Sequence, residues 1–123
     1  MSERRWDIYV RDMLECCRKI ADYAAGLDQD TFFGTSVVYE AVLWNLAILG
    51  GGAATNIPAE VRDANPAIPW HAITGTRNRI IHGYLTIDDM TVWEIVREGI
   101  PELTPLLRAL LDEAAEQGSS SAT

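Results

Sequence analysis

Basic residues are scarce in this chain. Against 18 aspartates and glutamates it has 10 lysines and arginines, a net charge of −8 over 123 residues, and this excludes the broad basic footprint of a nonspecific duplex binder. Cysteine is nearly absent too. Cys16 and Cys17 are adjacent on an expected helix, where neighbouring side chains diverge by about 100°, a poor geometry for a disulfide between them. They are expected to be reduced and structural. With His71 and His82, the only histidines, they form no zinc-ligand spacing, so no metal and no other cofactor is expected. Long apolar runs are missing as well: the longest weakly polar stretch, Ala41 to Ala54, is about 14 residues and contains Asn45, short of the roughly 20 needed to span a bilayer. The opening Met-Ser-Glu-Arg-Arg-Trp-Asp has no apolar signal core. No membrane association and a cytoplasmic location are the expectation. Strand-like alternation and internal repeats are absent.

What is present is ordinary globular sequence. A hydrophobic fraction of 48% and a charged fraction of 23% match folded soluble proteins, and the length suits one domain with a real core. The expected domain is 1–117, followed by a flexible Gly-Ser-Ser-Ser-Ala-Thr tail at 118–123.

Apolar positions from Trp6 through Val10, Met13, Cys17, Ile20 and Ala24 make the stripe of an amphipathic helix, stopped by Gly26. Asp30 to Phe33 reads as one helical turn. Ser36 suits the N-cap of a second long helix, Val37 to about Ala54, which is apolar nearly all round and therefore expected to be covered on more than one face. Gly50, Gly51 and Gly52 either end that helix or permit close backbone packing. Pro58 to Ala64 reads as a short helix. Pro69 fits the first turn of a third long helix that Gly83 terminates. Asp88 or Thr86 caps a fourth, Asp89 to Glu98, and the final helix starts at or before Pro105, because prolines interrupt helix hydrogen bonding. Trp44, Trp70 and Trp93 are expected in the core. The sum is an all-α bundle of four to five helices.

The densest chemistry lies at the end of the third long helix. Arg77, Asn78, Arg79, His82 and Tyr84 fall within eight positions, and no acidic residue occurs between Ala64 and Leu85, so a basic pocket on an acidic body is available. Arginine is a permanent cation whose fork matches phosphate oxygens, and histidine moves protons near neutral pH. In metal-free RNA cleavage a 2′-hydroxyl attacks its own phosphate while a base takes its proton, an acid assists the leaving 5′-oxygen and a cation stabilises the crowded phosphate. Arg77 and His82 suit those roles, with Asn78 orienting the histidine or the phosphate and Arg79 and Tyr84 binding substrate. Helical geometry complicates the picture: Asn78 and His82 share a face, whereas Arg77 and His82, five positions apart, diverge by about 140°. Either the helix opens near Gly83, or a second copy of the motif completes the site across a two-fold axis. The second is preferred. His71, beside Pro69 and Trp70, reads as a surface or packing residue.

Beyond that cluster, the stretch from Tyr39 to Leu103 carries Glu40-Ala41, Asn45-Leu46, Ile48, Gly50, Pro58, Pro69-Trp70, Ile73, Gly75, Arg77-Asn78, His82, Tyr84, Asp88, Val92-Trp93, Ile95-Val96 and Pro101-Glu102-Leu103. In these letters it resembles the HepT-like branch of the HEPN superfamily, whose signature is an Arg, four residues, a His, one residue and a Tyr. The resemblance implies a HEPN-type helical homodimer that cuts RNA without metal in a cleft at the subunit interface. It also implies a toxin–antitoxin pairing with a minimal nucleotidyltransferase that neutralises the toxin, with Tyr84 as the acceptor of AMP. Relatives commonly carry Gly-Glu-Ala where this chain has Gly50-Gly51-Gly52, and basic residues where it has Ala54 and Thr55. A rival reading, supported by the acidity and the altered glycines, is a noncatalytic helical module that docks a nucleotidyltransferase or a nucleotide.

Overall fold

The computed structural model describes residues 6–83 and 86–122, with side chains throughout that set except at 52, 53 and 117–122. Its described elements are all helical: α1 (Trp6–Ala24), α2 (Gln29–Gly34), α3 (Ser36–Ile48), α4 (Ala59–Ala64), α5 (Trp70–Gly83), α6 (Asp89–Glu94) and α7 (Ile100–Ala122). A π turn at Leu49–Ala53 and a 3-10 turn at Ala54–Asn56 extend α3, and a second π turn at Ile95–Gly99 joins α6 to α7. The expected all-α bundle is the fold.

The apolar stripe of α1 does what its spacing requires: Trp6, Val10, Met13, Cys17 and Ile20 are buried, against α3 on one side and α7 on the other. Leu103, Leu107 and Leu110 of α7 complete that core. At the start of α2 the Asp28 carboxylate accepts the Thr31 N–H at 2.8 Å, which caps the helix and holds the carboxyl below its usual range. The short helix then delivers Phe32, fully buried, into a cluster with Phe33, Tyr39 and Trp93. Tyr39 donates its hydroxyl hydrogen to the Asp89 carboxylate at 2.6 Å, tying α3 to the start of α6. Asp88 caps α6 through the Met90 N–H at 3.2 Å, the role its position predicts.

The central helix keeps close to its expected span, and of the two roles open to the glycines it takes close packing rather than an end: the helical stretch runs Ser36–Asn56, 21 residues, long and apolar enough by composition to cross a membrane, where the sequence run alone falls short. Here it packs on α1 and α5, with Val42, Leu43, Asn45 and Leu46 buried. The departure is at Trp44, expected in the core and not found there. It is 68% exposed, and Val37, on the same face, is 77% exposed. An all-apolar helix carries no polar face to mark its outside, so the pattern does not say which side neighbouring helices leave uncovered. Trp70, in contrast, is buried and donates its indole N–H to the carbonyls of Arg62 and Asn65, both at 3.1 Å, locking α4 onto the start of α5.

The break expected before Pro105 is also absent. The chain stays helical from α6 through α7 because the π turn precedes Pro101, with the Ile100 N–H reaching back to Ile95. A π turn adds one residue to the ladder where a proline would otherwise meet a carbonyl one turn earlier. Pro105 then lies inside α7, whose backbone is helical through Ala122, past position 117 at which the sequence reading ends the domain.

Both cysteines are free and buried. Burial pushes each thiol up from about 9 to about 11. At pH 8 their reaction with an aromatic disulfide reagent is expected to be roughly a hundredfold slower in the folded protein than after denaturation, since only the thiolate attacks. Between pH 9 and 11 the unfolded chain releases protons that the folded one keeps, so stability falls as pH rises through that window.

Candidate functional site

The motif sits on the last turns of α5, where Trp70, Ile73 and Ile80 face the core. Three-residue and seven-residue spacing from these anchors determines where the polar side chains emerge. Arg77 is half-buried, and Asn78, Arg79 and His82 are exposed. His71 is exposed as well.

Arg77 lies on the α3 flank. Its arm rests against the π turn at Gly50 and Gly51, and its Nη1 donates to Asn78 Oδ1 at 3.1 Å. Asn78, expected from sequence to orient the histidine or the phosphate, accepts from the neighbouring guanidinium and lines the same cleft as His82. The ion pairs among the described residues join Arg11 to Asp7 and Arg18 to Glu15 and Asp22. Neither Arg77 nor Arg79 is paired with a carboxylate among them. Among the described residues the cations of the motif thus have no carboxylate partner, in a chain that is acidic overall.

His82 lies on the other flank. With Asn78 and Arg79 it lines a cleft of about 590 Å³ between the end of α5 and α6. Ile80, Val92 and Ile95 also line this cleft, and Thr86, Asp88 and Thr91 add polar groups. The Thr86 hydroxyl donates to the Gly83 carbonyl at 3.0 Å, closing the helix end. α5 is unbroken through Gly83, so among the described residues no helix opening swings the histidine toward the arginine. Arg77 is not among the residues lining the cleft. Tyr84, expected both to bind substrate and to be modified, lies outside the described residues. Among the described residues no group of three or more His, Cys, Asp or Glu side chains is placed to hold a metal ion.

Comparison with known proteins bears on this arrangement. Residues 13–110 match the family model described as "Ribonuclease HepT-like", a span that takes in the glycine turn and the described residues of the motif. The chain belongs to the HepT-like family. Relatives include "Putative RNase MJ1380" of Methanocaldococcus jannaschii, 31% identical over 84% of this chain and 94% of the relative. "Probable ribonuclease HepT" of Thermococcus cleftensis is 30% identical over 77% of this chain and 86% of the relative. "Putative RNase TTE0752" of Caldanaerobacter subterraneus subsp. tengcongensis is 29% identical over 85% and 93%. No solved structure matches the chain.

Within the HepT-like fold, the sequence motif locates the helix end but misses its surroundings. The sequence marks Thr86 only as a candidate helix cap and Thr91 not at all, because a threonine in a turn or a first helical turn carries no signal of its own. The glycine run was a signal. Three consecutive glycines in an otherwise apolar helix ask for a neighbour at close range, and α5 supplies it: the Ile73 carbonyl and Arg77 Cβ at Gly50, the Arg77 arm at Gly51.

Proposed function

We propose that this HepT-like protein is a metal-independent endoribonuclease that cuts RNA in a site shared by two copies of the chain. The observation that carries the reading is the exposed His82 lining a cleft together with Asn78 and Arg79, with Arg77, which has no carboxylate partner among the described residues, on the adjoining flank of the same helix. In the reaction the RNA 2′-oxygen attacks the adjacent phosphorus, its proton passes to a base, the bond from phosphorus to the 5′-oxygen breaks, and that oxygen takes a proton from an acid. His82 handles protons and Arg77 neutralises charge building on the phosphoryl oxygens. Arg79 contacts a flanking phosphate and Asn78 steadies Arg77.

The two flanks explain why a second copy is needed. One α5 presents its arginine and its histidine in different directions, so two helices facing each other across a two-fold axis supply the pair that one cannot. Support for such a contact comes from the uncovered apolar face: Val37, Trp44 and Ile48 share one side of α3, and Ile81, 53% exposed, directly precedes His82. A cytoplasmic toxin of this kind requires restraint. That restraint comes from a minimal nucleotidyltransferase partner that transfers AMP to Tyr84, the residue after Gly83 in the sequence; the adenylate sets negative charge and bulk against incoming RNA.

The net charge of −8 favours the rival reading, a noncatalytic dimer that docks the nucleotidyltransferase. One experiment separates them. Purified protein without its partner is incubated with single-stranded RNA in EDTA, and its mass is measured by sedimentation at micromolar concentration. Cleavage to 2′,3′-cyclic phosphate and 5′-hydroxyl ends by a species of twice 13.6 kDa is the expected result. Intact RNA sinks the nuclease, and a cutting species of 13.6 kDa sinks the shared site.

A further inference from the structure

Gly50 and Gly51 are neighbours in one π turn, yet the atoms they exclude differ in kind. A β-carbon on Gly50 would lie 2.4 Å from the Ile73 carbonyl oxygen and 2.7 Å from Arg77 Cβ, atoms fixed by the α5 backbone. A β-carbon on Gly51 would lie 2.7 Å from Nε, 3.0 Å from Cγ and 3.2 Å from Cδ of Arg77. All three belong to the arm of one side chain. Gly50 is where two helices touch, and Gly51 is where the arginine lies down.

We infer that Gly51 is a positioning residue for Arg77, the bare backbone seat that holds the guanidinium at the angle used on phosphate. This rests on the reading of Arg77 as the phosphate cation. A free arginine samples many rotamers, and a cation that must find its place during the reaction loses much of its effect. Here the arm is held at two points, the middle against Gly51 and the tip by Asn78 Oδ1 at 3.1 Å. One of the five guanidinium N–H donors is spent on that amide, leaving others for phosphate oxygens. Position 51 also contributes no charge. A carboxylate grown from this position would begin beside Nε and could form a charge-assisted bond with it. Glycine leaves the cation placed and unneutralised.

The test compares Gly51→Ala, Arg77→Ala and the double variant, with thermal unfolding as a control and the Arg77 Nε–H resonance followed by NMR in the wild type and Gly51→Ala. Because the added methyl meets only a flexible arm, Gly51→Ala is expected to fold, with its midpoint within a few degrees of wild type. Its kcat for RNA cleavage is expected to fall roughly ten- to a hundredfold, the usual penalty for a misplaced group, and the Nε–H resonance to move. In the Arg77→Ala background the same methyl should change the residual rate less than about twofold, since its target is gone. A full-sized loss in that background overturns the inference, as does loss of the fold in Gly51→Ala or a resonance that stays in place. If no form of the protein cleaves RNA, the nuclease reading fails and the Nε–H resonance alone decides: movement supports the seat, constancy removes it.

Discussion

His82→Ala is expected to slow RNA cleavage by roughly two to four orders of magnitude, the range that positioned acid–base groups contribute, while leaving the fold nearly untouched. The side chain is exposed at the last turn of α5, so truncating it opens no cavity, and substitutions of that kind usually change stability by about 0.5 kcal/mol or less. The separation of the two effects is what makes the variant informative. A rate assay on RNA alongside a thermal melt would read both. Should the variant cut as fast as wild type, the proton-transfer role belongs to another group and the cleft beside α6 loses its place in the mechanism. Because two copies of His82 serve one site in this reading, a mixed dimer with a single intact histidine is a sharper probe than the homodimer. Partial activity would mean that acid and base come from different subunits with unequal burdens.

Gly50→Ala is expected to act on the fold rather than the chemistry. Its β-carbon would meet the Ile73 carbonyl at 2.4 Å and Arg77 Cβ at 2.7 Å, and neither atom can rotate away, so α3 and α5 must separate. Overpacking of this kind costs about 1–3 kcal/mol, against which alanine recovers roughly 0.5–1 kcal/mol of helix propensity. A backbone clash belongs at the upper end, leaving a net loss near 2 kcal/mol, or a fall in thermal midpoint of roughly 8 °C for a chain of this size. Circular dichroism melts of Gly50→Ala and Gly51→Ala side by side check the assignment. Adjacent glycines should give unequal shifts, large at 50 and small at 51; equal shifts would mean that both serve helix packing alone.

The amphipathic stripe of α1, the cap at Asp88 and the clustering of Arg77, Asn78, Arg79 and His82 were all legible in the amino-acid order. Each is a local matter: hydrophobic spacing, a carboxylate satisfying a free N–H, and residue types four or five apart on one helix. Even the poor fit between Arg77 and His82 on a single helix follows from 3.6 residues per turn.

Tertiary structure alone decided the rest. Trp44 reads as core by composition and stands outside, because which face of an apolar helix is buried depends on which neighbours arrive. Pro101 reads as a break and is carried by a π turn, since packing of α7 along α1 favours continuing the helix over ending it. The glycines at 50 and 51 announce a close approach without naming the partner. Arg77 is 26 residues from Gly51 in the chain, and only the docking of α5 against the widened turn makes one the seat of the other.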